Sequence, residues 1–287
     1  MTKNILIGDG PLFNHCVKKL LSEKQKFLLI TSDKNKKNLG INKTFFTSFN
    51  FLKKTKRIKF LISVMNGKII SENILSKTEN AINFHDGPLP KYGGLYSSTW
   101  AILNREKKHG CCWHLMTKKI DSGSIIISKK FKIDKLDNAY SVDLKSLYFG
   151  YLMFEKKILK ILKKNKNVIS KKKNIKLKSY YGMKDILKIP NKGFLNLKQS
   201  ILKSLIIFRA LKVSNEKAKN IFHSKIYTST GIKKILNFNE IKCKNNINIQ
   251  DLSRKIEIKN NSFYFKKLNK CYVIELKNQK YKFFYLR

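Results

Sequence analysis

No run of eighteen uninterrupted apolar residues occurs in this 287-residue chain, so nothing in it reads as a membrane-spanning helix. The opening residues Met1, Thr2, Lys3 and Asn4 lack the basic start, apolar centre and small-residue cleavage site of a secretory leader, which makes the cytoplasm the expected compartment. Five cysteines are scattered as Cys16, Cys111, Cys112, Cys243 and Cys271, without a C-x-x-C pair to hold zinc or run redox chemistry. All five read as buried thiols, and no metal is expected. Acidic residues are few, 18 against 62 basic, and arginine is scarce, since only Arg57, Arg105, Arg209, Arg254 and Arg287 accompany the lysines. A net charge of +44 would ordinarily point to a polyanionic partner. Here lysine is spread through every segment beside abundant Asn and Ile, the pattern of a biased nucleotide composition rather than of one selected patch.

What is present is enough apolar residue, 42% of the chain, to bury a large core and a smaller one. Asn4–Gly10 is an apolar run broken by two glycines, followed by a helical pattern at Leu12, Cys16, Leu20 and Leu21. The glycines at 8 and 10 do not form a dinucleotide fingerprint, because Phe13 stands where the third glycine belongs. Further apolar runs at 27–31, 60–64 and 81–85 are spaced for crossovers, as in a parallel sheet covered on both faces. A helix around 97–104, strands at 111–116 and 124–127 and a long helix over 138–162 complete this part. The expected fold class is α/β, an open, mostly parallel Rossmann-like sheet with helices on both faces, plus a smaller β-rich C-terminal domain. Residues 1–165 form the first domain, the lysine- and asparagine-rich stretch 166–194 a basic linker, and 195–287 the second domain. That domain is expected to open with a helix over 195–211 and close with strands at 262–265, 272–276 and 281–285.

One segment carries chemistry. Asn83-Phe-His85 ends an apolar strand and runs into Asp-Gly-Pro-Leu-Pro-Lys-Tyr-Gly-Gly94. In open parallel sheets, ligands bind beyond the carboxyl ends of the strands. Residues two apart on a strand share a face, so an amide and an imidazole are presented together, a pairing suited to stabilising an oxyanion and moving a proton. Asp121, in the turn Ile120-Asp-Ser-Gly-Ser124, supplies a carboxylate that would fix the tautomer of His85. His114, on a strand beside Trp113, reads as core or pocket lining.

Together these residues resemble the 10-formyltetrahydrofolate-dependent formyltransferases, a family that includes glycinamide ribonucleotide and methionyl-tRNA formyltransferases. The resemblance rests on the ordered set Asn83-Phe-His85, Leu89-Pro90 and Asp121-Ser-Gly123, and it extends over roughly residues 4 to 160. It implies formyl transfer from 10-formyltetrahydrofolate to an amine, with Asn83, His85 and Asp121 as the catalytic residues and no metal. Around the folate it implies Gly67, Lys68 and Ile70, the loop residues Gly87, Pro88, Leu89 and Pro90, and Ser122 with Gly123. The acceptor stays open between methionyl-tRNA, hence the initiator tRNA as a partner, and a small amine such as an amino sugar. Asp86-Gly87 departs from the His-x-Ser-Leu-Leu-Pro form of the tRNA enzymes, whereas the two-domain length and basic linker resemble their layout. Hydrolysis of the formyl donor by water, a non-catalytic RNA-binding role and a nucleotide-dependent oxidoreductase are the remaining alternatives.

Overall fold

In a computed structural model, residues 3–165, 167–168, 174–197, 200–214, 217, 221–228, 231–241, 249–250, 262–267 and 270–276 are described. They fall in two compact units, one comprising Met1–Ser98, Glu106–Lys135 and Ser141–Gly182, the other Thr99–Arg105, Leu136–Tyr140 and Met183–Arg287.

The first unit is built on strands β1 (Lys3–Gly8), β2 (Leu28–Ile30), β3 (Ile58–Val64) and β4 (Thr78–His85). The two-residue strand β5 (Gly93–Gly94) follows, then β6 (Lys108–Leu115), β7 (Ile125–Lys132) and the two-residue β8 (Tyr180–Tyr181). Six of these form one sheet in the order β2-β1-β3-β4-β6-β7. β1 to β4 pair in parallel, while β6 runs antiparallel to β4 and β7 antiparallel to β6. The carboxyl ends of β1, β3 and β4, at Gly8, Val64 and His85, therefore lie along one edge.

Both faces are buried, as the near-continuous apolar strands require. Alternation along β1 splits the core: Leu6 faces one side with Phe60, Ile62, Ile82, Phe84 and Trp113, while Ile5 and Ile7 face the other with Ile58 and Leu61. Helix α1 (Gly10–Ser22) covers the first side with Leu12, Phe13, Cys16, Val17 and Leu20. A short helix, α2 (Asp33–Leu39), adds Leu39 to that cluster. The second side is closed by Leu52 of α3 (Phe49–Lys54) and Ile74 of α4 (Glu72–Ser76). Burying side chains of this size contributes about 1.5–3 kcal/mol each. After α5 (Ser97–Leu103), the long helix expected over 138–162 is found as α6 (Ala139–Met153), a π turn at Phe154–Ile158 and α7 (Leu159–Lys164). Its Met153, Phe154, Ile158, Leu159 and Leu162 join the first cluster. Trp113 is fully buried there, and its indole Nε1–H donates to the Gly150 carbonyl at 2.9 Å, just before the π turn.

The second unit has the α8 helix (Ile201–Leu211) and strands β9 (Lys225–Thr228), β10 (Gly231–Ile241), β11 (Ile249–Gln250), β12 (Ser262–Lys267) and β13 (Lys270–Leu276). They form a five-stranded sheet in the order β11-β12-β13-β10-β9, antiparallel except for the β11–β12 pair. Aromatic residues supply its core: Phe265 stacks on Tyr272 with ring centroids 5.2 Å apart, and Phe238 tilts against Phe208 and Phe265.

Two expectations are corrected. The helix expected from 195 starts at Ile201, because Ser200 caps it by accepting from the Lys203 N–H; Leu195 and Leu197 are buried outside it. Cys16, Cys111 and Cys112 are free and buried, but Cys271 is disulfide-bonded, a pairing that spacing in the chain cannot reveal. The strand expected at 281–285 lies outside the described residues. Among the described residues no helix is long and apolar enough to cross a membrane.

Candidate active site

The polar edge of the sheet is assembled by the β4–β6 ladder, which pairs Asn83 with His114, Phe84 with Trp113 and His85 with Cys112. Cross-strand partners project to the same face. Phe84 and Trp113 therefore meet on the core side, with ring centroids 5.3 Å apart, while Asn83, His85 and His114 emerge together on the other.

His85 is buried at 5% exposure, and both ring nitrogens face acceptors. Its Nε2–H donates to the Tyr92 carbonyl at 2.8 Å, and Nδ1 lies 3.6 Å from Asp121 Oδ2. The other carboxylate oxygen of Asp121 lies 3.5 Å from His114 Nε2. His114 Nδ1–H donates to the Leu115 carbonyl at 2.8 Å, and its Nε2 also lies 3.2 Å from Asn83 Nδ2. An amide nitrogen carries two hydrogens, so half-buried Asn83 keeps a second donor for a ligand.

Asp121 sits in the turn between β6 and β7 with φ of +54°, in the left-handed region that Asp tolerates better than most residues. The Gly94 N–H donates to its Oδ2 at 2.7 Å. Burial acts to raise this carboxyl, yet the bond from His114, the charge of His85 and the Gly94 N–H outweigh it and hold Asp121 below the ordinary carboxylate range. It is the ionised member of the group. By contrast, burial pushes the Cys111 thiol up to about 12 and raises Cys112 as well, which makes both inert neighbours.

The loop from Gly87 to Pro90 closes over this group, with Leu89 buried and the Leu89–Pro90 bond cis. Gly87 is required by close approach, because a Cβ there would stand 2.5 Å from His85 Nε2 and 2.8 Å from the Tyr92 carbonyl. Ser122 and Gly123 are buried beside Asp121, with Ser122 Oγ donating to the Lys119 carbonyl. The stretch expected as a basic linker contributes here: Ile175 N–H donates to the Ser122 carbonyl, Lys178 N–H to that of Pro90, and Ser179 Oγ accepts from the Tyr92 N–H. β8 pairs with β5 in the same region.

The third expected segment is more distant in its bonding. Gly67 and Lys68 are exposed in a turn after β3, where Asn66 Oδ1 accepts from the Lys68 N–H and Lys68 Nζ lies over the Phe49 ring. Ile70 packs against the core cluster of Ile5 and Ile74. Among the described residues no hydrogen bond or ion pair joins these three to Asn83, His85 or Asp121. The residue that sequence reasoning took only as core or pocket lining is His114, which the β4–β6 register sets beside Asn83.

Residues 50–148, which hold all four polar side chains, match the family model described as formyl transferase. This region belongs to the formyl transferase family. Over 194 residues, 62% of this chain, the formyl transferase region and its surroundings are 33% identical to the bifunctional polymyxin resistance protein ArnA of Wigglesworthia glossinidia brevipalpis, of which the match covers 28%. A methionyl-tRNA formyltransferase of Caldanaerobacter subterraneus subsp. tengcongensis is 33% identical over 127 residues, 43% of this chain and 41% of the relative. The chain thus spans less than half the length of either. In fold, it resembles WlaRD, a sugar 3N-formyl transferase solved in the presence of dTDP and 5-N-formyl-THF, with a TM-score of 0.69 at 22% identity, covering 98% of this chain and 99% of that one.

Proposed function

We propose that this protein is a folate-dependent formyltransferase, which moves a formyl group from 10-formyltetrahydrofolate to an amine, with residues 1–165 as its catalytic domain and Asn83, His85 and Asp121 as its catalytic residues. The observation that carries this reading is the single buried network joining an amide, two imidazoles and an ionised carboxylate at the carboxyl edge of a sheet in the formyl transferase region. Acyl transfer to an amine passes through a tetrahedral oxyanion, and such charge is best held by preorganised donors in a water-poor site. The second amide hydrogen of Asn83 and the charge of His85 hold that oxygen. Asp121 orients both imidazoles and balances the charge of His85, which gives its proton to the departing folate nitrogen and takes in return the proton lost by the attacking amine.

Support for the acceptor divides. Relatives named methionyl-tRNA formyltransferase favour an aminoacyl-tRNA. A GDP-perosamine N-formyltransferase of Brucella melitensis, 30% identical over 83 residues, favours an amino sugar, as does the full-length likeness in fold to a sugar formyl transferase. The test is transfer from 10-formyltetrahydrofolate to methionyl-tRNA and to a panel of nucleotide-linked amino sugars, with a control lacking any acceptor. Amine-dependent release of tetrahydrofolate is expected; formate release without an amine would make the protein a hydrolase instead.

A further inference from the structure

Beside the Gly87–Pro90 loop, toward the end of β6 remote from His114, lies a cavity of about 250 Å³ lined by none of Asn83, His85, His114 and Asp121. Its floor is apolar, made by Pro88, Leu89, Pro90 and the Tyr92 ring, which stacks on Tyr181 with centroids 5.9 Å apart. Its rim is cationic: Lys91, Lys108, Lys130 and Lys178 line it with one acid, Glu106.

Lysine alone is weak evidence in a chain so rich in it. The arrangement is more informative. Glu106 is already engaged, accepting from Tyr92 Oη at 2.9 Å and pairing with Lys91 Nζ at 3.1 Å. Lys108, Lys130 and Lys178 come from three separate segments, β6, β7 and the stretch leading to β8, and among the described residues none has a carboxylate within ion-pair distance. Residues two apart on paired strands share a face, and the register sets Lys132 opposite Lys108 and Lys130 opposite Gly110, so Lys108 and Lys130 lie on one face of the ladder. Like charges gathered in this way are mutually unfavourable, and a concave low-dielectric wall concentrates their field on an incoming anion.

We infer that this cavity is a second ligand site, which takes a small organic phosphate with its ring against the Pro88–Pro90 floor and Tyr92 and its phosphate on Lys108, Lys130 and Lys178. The site is connected to the first through one residue. The phenol of Tyr92 forms part of the cavity wall, and its carbonyl accepts from His85 Nε2–H, so an occupant that shifts this loop also shifts the imidazole. The inference does not rest on the formyl-transfer reading.

Calorimetric titration of the full chain with adenosine 5′-monophosphate, at fixed ionic strength, tests it without reference to activity. Saturable binding is expected, weakened tenfold or more, about 1.4 kcal/mol per tenfold, in the double variant Lys108→Gln/Lys130→Gln. It should be unchanged in Lys34→Gln/Lys37→Gln, which removes as much charge from exposed positions on α2. Equal weakening in both variants would mean diffuse attraction to a basic surface and overturn the site. Absence of saturation up to on the order of 10 mM would do the same. Titrations with adenosine and with inorganic phosphate complete the test, because either binding as tightly as the nucleotide would overturn the organic-phosphate assignment.

Discussion

Gly87 has no side chain where the His85 imidazole stands: a methyl group added there would lie 2.5 Å from His85 Nε2, closer than any real contact. The loop residue and the ring share one small volume, and the Tyr92 carbonyl bounds it on the other side. Gly87→Ala is therefore expected to displace the ring by a few tenths of an ångström or more while leaving the fold intact. Misplacement of a reacting group by about 1 Å costs on the order of 10²-fold in rate. A variant that melts like the parent but loses tenfold or more in kcat would bear this out, and unaltered kcat would show that the ring has room to spare.

Tyr92→Phe provides the contrast. The contact to His85 is made by main-chain oxygen, which the substitution keeps, whereas the bond from Tyr92 Oη to Glu106 is lost. Stability should fall by about 1 kcal/mol, with kcat within about threefold of the parent, a change under 1 kcal/mol in the barrier. A large drop in kcat would mean that the phenol itself takes part.

Replacing the reacting groups should act in the opposite way. His85→Ala and Asp121→Asn are each expected to reduce formyl transfer by roughly 10²–10⁴-fold. Single-turnover rates, with circular dichroism to verify folding, are the measurement. An active His85→Ala protein would exclude the proposed role of the imidazole.

The carboxyl of Asp121 also links stability to acidity. Its folded pKa is depressed, so the group stabilises the fold above its unfolded value, about 3.9, and that contribution is lost as pH falls through the lower folded value. Urea unfolding of the parent and Asp121→Asn should show a larger stability gap at pH 6 than near pH 3. A gap that is constant or widens on acidification would contradict the assignment of Asp121 as the ionised member.

A core test concerns Gly150 on α6. Glycine inside a helix is usually worse than alanine by about 1 kcal/mol, but a Cβ at this position would lie 2.5 and 2.8 Å from atoms of the Phe84 ring. Phe84 is itself held against Trp113, and overpacking of this kind costs about 1–3 kcal/mol. Gly150→Ala should thus destabilise the protein in thermal melts, against the helix-propensity trend. Stabilisation would show that the ring yields easily.

Strands β1, β3 and β4 were legible in the sequence because strands buried on both faces read as unbroken apolar runs, and Asn83 with His85 stood out as polar residues interrupting such a run at its carboxyl end. The role of His114 was not, since what joins it to Asn83 is the antiparallel register of β4 and β6, set by pairing between segments about thirty residues apart. The basic stretch after 165 read as a linker through its composition. Its hydrogen bonds are made by main-chain N–H groups of Ile175 and Lys178, which leave no trace in side-chain identity. The start of α8 was misjudged for a related reason: Leu195 and Leu197 continue the apolar period of the helix, and only the cap at Ser200 interrupts it.

The register of β4 against β6 makes this site an all-or-nothing object. Sliding β4 by one residue would turn Asn83 and His85 toward the Trp113 side and bring Phe84 to the polar edge, and sliding β6 would turn His114 away from them, so no half-assembled arrangement retains the whole network. Activity in this protein would then report on strand alignment as faithfully as any spectroscopic probe, and a preparation of intermediate activity would be a mixture of fully competent and fully silent molecules.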